Sequence, residues 1–179
     1  MEWTIRRASI VDADRLALIG GVTFLETFAG VLDGDAIVDH CAREHSSSAY
    51  RQYLINGALA WLVEARSGKA PVGFSLLARP NLPGSTADGS DVELKRIYTL
   101  SRIHGSGAGA ELIRQVIDHA EESGYRRLLL GVYAGNGRAR AFYVKQGFRQ
   151  IADRRFRVGE REYDDVVLAR PLGSGFSAS

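Results

Sequence analysis

The stretch Arg102-Ile103-His104-Gly105-Ser106-Gly107-Ala108-Gly109 sets three glycines just ahead of an amphipathic run, Glu111 to Glu122. The first N–H groups of a helix have no intrahelical partner and sit at the positive end of its dipole. A turn without side chains lets a phosphate approach those groups, so this spacing suits anion binding. Two nucleotide signatures are ruled out by spelling: no Gly-Lys-Ser/Thr follows, and a GxGxxG register does not fit Gly105, Gly107 and Gly109. The same glycines would also serve a plain strand-to-helix turn. Other reactive types carry less. His40, Cys41 and His45 lack a metal-ligand spacing and read as helix-surface residues, so no metal is expected. Arg154-Arg155-Phe156-Arg157 reads as a solvated face or an interface of a nearly neutral chain.

The elements that must position these residues follow from periodicity. Trp3–Arg7 reads as a strand, and Ser9-Ile10-Val11-Asp12 has the capping-box form that opens a helix through about Ile19. Residues 24–53 are helix-prone but interrupted by Gly30 and Gly34, which predicts two or three short helices. "LAWLVEA" and "PVGFSLLA" around Ser67-Gly68-Lys69 predict a hairpin of central strands. Residues 79–91, rich in proline, glycine and serine, predict a loop that is mobile or borders a site. "VELKRIYTL" is the strand that feeds the glycine turn, and Leu112, Ile113, Val116, Ile117 and Ala120 form a helical stripe behind it. "YRRLLLGVY", a helix from about Arg138 to Gln146 stopped by Gly147, and a hairpin turning at Gly159 complete the chain.

At 179 residues and 45% hydrophobic, the chain predicts one domain over 1–172 with a disordered tail at 173–179. Its 23 basic against 21 acidic residues give no general case for nucleic acid or a membrane surface. One cysteine excludes an intrachain disulfide framework, and the charged N-terminus lacks a signal-peptide core. A soluble, cytoplasmic protein is the expectation.

Two patterns carry a resemblance. Arg102-x-x-Gly105-x-Gly107-Ala108 resembles the (Gln/Arg)-x-x-Gly-x-(Gly/Ala) signature of the GCN5-related N-acetyltransferases, the GNAT superfamily. Asn136-x-x-Ala139-x-x-Phe142-Tyr143-x-x-x-Gly147-Phe148 resembles its second signature. The order of elements agrees from Trp3 to Leu172, and "TFLETFAGVLD" and "ELKRIYTL" are more loosely similar to PaiA-type small-molecule, polyamine-acetylating enzymes. The resemblance implies an α/β fold with a central mixed, mostly antiparallel twisted sheet of about seven strands flanked by helices. It implies acetyl-CoA as co-substrate, with its pyrophosphate on His104, Gly105, Ser106, Gly107, Ala108 and Gly109 and with Arg102 near a phosphate or bracing the loop. Backbone groups of Ile97, Tyr98 and Thr99 would pair with the pantetheine amides, as an added strand would. Asn136 would hydrogen-bond the pantetheine arm or cap the next helix, with Ala139 and Tyr143 lining the same arm. A homodimer is plausible by the same likeness.

Direct transfer then needs one base and one acid. An ammonium with a pKa of roughly 10 must lose a proton before attacking the thioester, and the leaving thiolate benefits from a donor. Tyr143 is the expected acid and Glu93 the expected base, although Glu93 could equally be a strand carboxylate paired with Lys95. The reading is an acetyl-CoA-dependent N-acetyltransferase acting on a primary amine, with a protein or peptide acceptor, or an inactive acyl-CoA-binding sensor, as alternatives.

Overall fold

The computed structural model describes residues 1–158 and 161–173. The turn expected at Gly159 and most of the expected tail, 174–179, lie outside the described residues. Seven strands form one sheet: β1 (Trp3–Arg7), β2 (Leu59–Ala65), β3 (Pro71–Ala78), β4 (Asp91–Thr99), β5 (Arg127–Tyr133), β6 (Arg149–Val158) and β7 (Arg161–Pro171). Their order is β1-β2-β3-β4-β5-β7-β6, and only β4 and β5 run parallel. The helices are α1 (Ala13–Phe28), α2 (Gly34–Glu44), α3 (Ser47–Ile55), α4 (Ala108–Glu122) and α5 (Gly137–Lys145). No helix among the described residues is long and apolar enough to cross a membrane.

Each face of the sheet is covered for a reason visible in the side chains. On one face, Leu112, Ile113, Val116, Ile117 and Ala120 of α4 are buried against Leu94, Leu128, Leu130 and Leu168. Burying each of the larger aliphatic side chains contributes about 2 kcal/mol. On the other face, Leu16 and Ile19 of α1 and Tyr50 of α3 pack on Leu62, Phe74 and Leu76. The parallel β4–α4–β5 unit therefore holds the glycine turn at the C-terminal end of a central strand, where open α/β sheets present ligand sites.

Three boundaries differ from the sequence reading. The Ser9 N–H donates to Asp12 Oδ2 at 2.9 Å as the capping box demands, but this closes a short 3-10 turn, Ile10–Asp12, from which α1 runs on past Ile19 to Phe28. Gly20 and Gly21 do not stop it: the small size of Gly20 lets His45 and Tyr50 pack directly against the helix, and a Cβ at Gly21 would meet nothing. Gly34 does not interrupt a helix either; it is the first residue of α2, behind the Asp33 cap. Loop 79–91 is pinned: Leu82 is buried with Leu129 and Val167, and Thr86 N donates to Asp91 Oδ2 at 2.7 Å.

Candidate active site

The β4–β5 ladder ends at the pair Glu93↔Leu129. Beyond it, Leu94 and residues 96–99 of β4 keep their partners on β3 but have none on β5, so the two parallel strands part. One residue of β4, Lys95, has no opposite number on β3, where the register shifts between Leu76 and Leu77. This bulge bends the strand and changes which side chains face which layer. Leu94 and Ile97 belong to the α4 side, while Tyr98 belongs to the α1 side. Ile97, Tyr98 and Thr99 lie on this parted stretch of β4, whose edge toward β5 is unpaired. Of their backbone groups, the Thr99 carbonyl accepts from His104 Nε2 at 3.1 Å.

At the mouth of the cleft stands the glycine turn. Gly105 and Gly107 have φ of 81° and 87°, left-handed geometry that side-chain-bearing residues rarely adopt, and a Cβ on Gly107 would enter open space. Gly107 caps α4, whose first internal bond is Glu111 N to Gly107 O at 2.9 Å. The N–H groups of Ala108, Gly109 and Ala110 thus have no helical carbonyl to donate to, which fits a phosphate cradle. Ser106 and Arg102 are exposed beside it, and Arg102 forms no ion pair among the described residues.

Across the cleft, Asn136 caps α5 by accepting from Ala139 N at 3.0 Å through Oδ1, which leaves its amide N–H groups to donate elsewhere. The capping and ligand roles expected of Asn136 are therefore compatible. Gly147 closes α5 with φ of 84°, as its position predicted. Tyr143 is 8% exposed and packs between Phe142 and Phe148. Burial pushes its phenol above the ordinary range, and the nearby Tyr98 phenol adds to the effect. Tyr98 is raised by burial too, with Arg96 opposing and Asp165 assisting.

Glu93 is 4% exposed at the point where the strands part. Its Oε2 accepts from Asn81 N at 2.8 Å, so loop 79–91 covers it, and its Oε1 lies 3.8 Å from Lys95 Nζ. The Lys95 pairing anticipated from the spacing is present, and the carboxylate still has lone pairs to accept a proton.

Several residues of this face were not anticipated. Asp165 on β7 is 6% exposed and bonded to Arg154 Nη2 at 2.7 Å; burial raises its carboxyl, with Arg154 opposing. Arg154 is thereby turned inward, over Phe156 and against Gly131, and does not join a solvated basic patch. His40 and His45, expected on a helix surface, are buried: His40 stacks on Phe24 at 4.2 Å, and His45 Nδ1 lies 2.9 Å from the Tyr50 hydroxyl. Helix α2 packs on α1 through precisely the face that carries His40, a pairing that the polar spelling of α2 conceals. Arg96, buried over Tyr50 and Tyr53, donates to Glu44 Oε2 at 2.9 Å.

Residues 32–148 match the model of the Acetyltransferase (GNAT) family. Uncharacterised N-acetyltransferases of Mycobacterium bovis and Mycobacterium tuberculosis are 34% identical over 91% of this chain and 99% of theirs. Among solved structures, the PaiA N-acetyltransferase of Thermoplasma acidophilum in complex with coenzyme A aligns with a TM-score of 0.77 at 20% identity, covering 96% of this chain and all of that one. YncA of Salmonella typhimurium, solved with acetyl-CoA, aligns at 0.70 and 20% identity over 100% and 99% of the two chains. The parted parallel strands, the glycine turn at the head of α4 and these likenesses lead to one assignment: the chain belongs to the GNAT family of acetyltransferases.

Proposed function

We propose that the chain transfers an acetyl group from acetyl-CoA to the primary amine of a small molecule, with Glu93 as base and Tyr143 as acid. The observation that carries this reading is the parting of β4 from β5 directly after Glu93. Pantetheine entering the gap would add a strand to the free edge at Ile97, Tyr98 and Thr99, with the pyrophosphate on the head of α4 and the amide of Asn136 against the arm. The thioester would then reach the cleft between Glu93 and Tyr143. Glu93 takes a proton from the acceptor ammonium, the amine nitrogen attacks the thioester carbon, the C–S bond breaks as Tyr143 donates to sulfur, and the surplus proton on the new amide nitrogen passes to the Tyr143 oxygen. The products are an acetamide and free CoA thiol. A phenol held above its ordinary range stays protonated at neutral pH and keeps its donor.

Support for a compact cationic acceptor comes from the α1 side of the cleft. Glu93 and Asp165 are buried carboxylates there, and loop 79–91 covers Glu93. Thiol release measured with polyamines, other small amines and N-terminal peptides side by side tests the proposal. A small amine should give the higher kcat/KM. Preference for peptides would overturn the small-molecule assignment, and acetyl-CoA binding without turnover of any amine would mark a sensor.

A further inference from the structure

The exposed loop that precedes α4 is held from outside at both ends. At its start, Ser101 donates to Glu26 of α1 through its N–H at 2.8 Å and its hydroxyl at 2.6 Å. At its glycine end, Trp3 Nε1 of β1 lies 3.0 Å from Ser106 Oγ. These partners are far apart in sequence, and β1 is the edge strand of the sheet, several strands from the cleft. An indole N–H only donates, so the Ser106 oxygen must accept. Ser106 Oγ also accepts a long bond from Ala108 N at 3.4 Å, so the serine proton is left to donate to another group, and the oxygen is fixed in place at the head of α4, where the N–H groups of Gly109 and Ala110 have no helical carbonyl to donate to.

We propose that Trp3 is a positioning residue for acetyl-CoA, acting through Ser106 to hold the loop and to direct the serine hydroxyl proton at a phosphate oxygen. This rests on the reading of Gly105–Gly109 as the pyrophosphate cradle. Fixing a loop in its bound form before the ligand arrives reduces the ordering cost of binding. The Glu26–Ser101 bonds brace the opposite end, and they hold the Glu26 carboxyl below its ordinary range.

Trp3→Phe removes the indole N–H and retains an aromatic ring. Steady-state kinetics with acetyl-CoA and with S-acetylpantetheine, which lacks the pyrophosphate, separate positioning from general structure. The variant should raise KM for acetyl-CoA roughly three- to tenfold, the fold-change of one lost hydrogen bond, with kcat kept. KM for S-acetylpantetheine should not move. In a Ser106→Ala background, Trp3→Phe should add nothing, because both changes break one bond. Equal rises in both KM values, or additive effects of the two substitutions, would overturn the inference in favour of a structural role. If the unaltered protein prefers acetyl-CoA while Trp3→Phe leaves its KM unchanged, the inference alone fails. If the unaltered protein uses both thioesters alike, the cradle reading fails and takes the inference with it.

Discussion

Burial keeps the Tyr143 phenol protonated, and the nearby, partly buried phenol of Tyr98 adds to the effect. Removing the hydroxyl leaves the packing against Phe142 and Phe148 in place. Tyr143→Phe should therefore lower kcat by about 10²-fold or more, the usual contribution of a positioned proton donor, with little change in acetyl-CoA affinity. Unchanged kcat would remove Tyr143 from the chemistry. At this scale Gly105, Gly107 and Asn136 were legible, because each carries a backbone or capping demand that its residue type announces, whereas Tyr143 was named only through the family resemblance. The placement of the Tyr98, Asp165 and Arg154 side chains was not legible. Their orientation depends on the bulge at Lys95 and on pairing between strands distant in sequence, and neither has a local signature. The buried His40 and His45 were misread for a related reason: a short polar helix does not announce which face its neighbours cover.

Helix α1 illustrates how an element can outrun its local spelling. Two adjacent glycines in mid-helix lower intrinsic helicity, yet α1 continues to Phe28. A Cβ on Gly20 would collide with the His45 imidazole and the Tyr50 hydroxyl, so the glycine is what lets α3 and the end of α2 approach α1. Gly20→Ala should cost about 1–3 kcal/mol by overpacking, despite the better helix propensity of alanine. Chemical denaturation checks this, with Gly21→Ala as a control, since a Cβ there meets nothing. If the two variants are equally stable, Gly20 is not a packing requirement. The 3.6-residue stripe of α4 was legible because a single buried face dictates it, and the β2–β3 hairpin because two apolar runs, buried on both faces, flank a turn. The length of α1 was set by tertiary contact.

Taken as one body, the sheet has a single parallel junction, and it is there that the strands part and the site opens. The seven-stranded, mostly antiparallel α/β architecture was legible from element order and from the two family signatures, whereas the pinning of loop 79–91 over Glu93 was not. The histidines where α1, α2 and α3 meet give the fold a pH dependence. Burial lowers His40 from 6.5 to about 4 and His45 from 6.5 to about 3. As pH falls below 6.5, the unfolded chain takes up these protons while the native state does not, so stability is lost down to about 4 for His40 and about 3 for His45. The loss is at most about 1.4 kcal/mol per pH unit per histidine. Denaturation between pH 7 and 4.5 should show a shallower fall in a His40→Gln/His45→Gln double variant than in the unaltered protein. Equal slopes would mean that the two imidazoles protonate in the native state.

The proposed chemistry depends on the turn at the head of α4 as the seat of the acetyl-CoA pyrophosphate. Its most direct test is calorimetric titration of the protein and of Gly107→Val with acetyl-CoA, with NADH and ATP as controls and circular dichroism to verify the fold. The unaltered protein should bind acetyl-CoA selectively and the folded variant should not, because a valine there enters the open space at the head of α4 and strains the left-handed turn. Equal binding of acetyl-CoA by the folded variant would contradict that role of the turn.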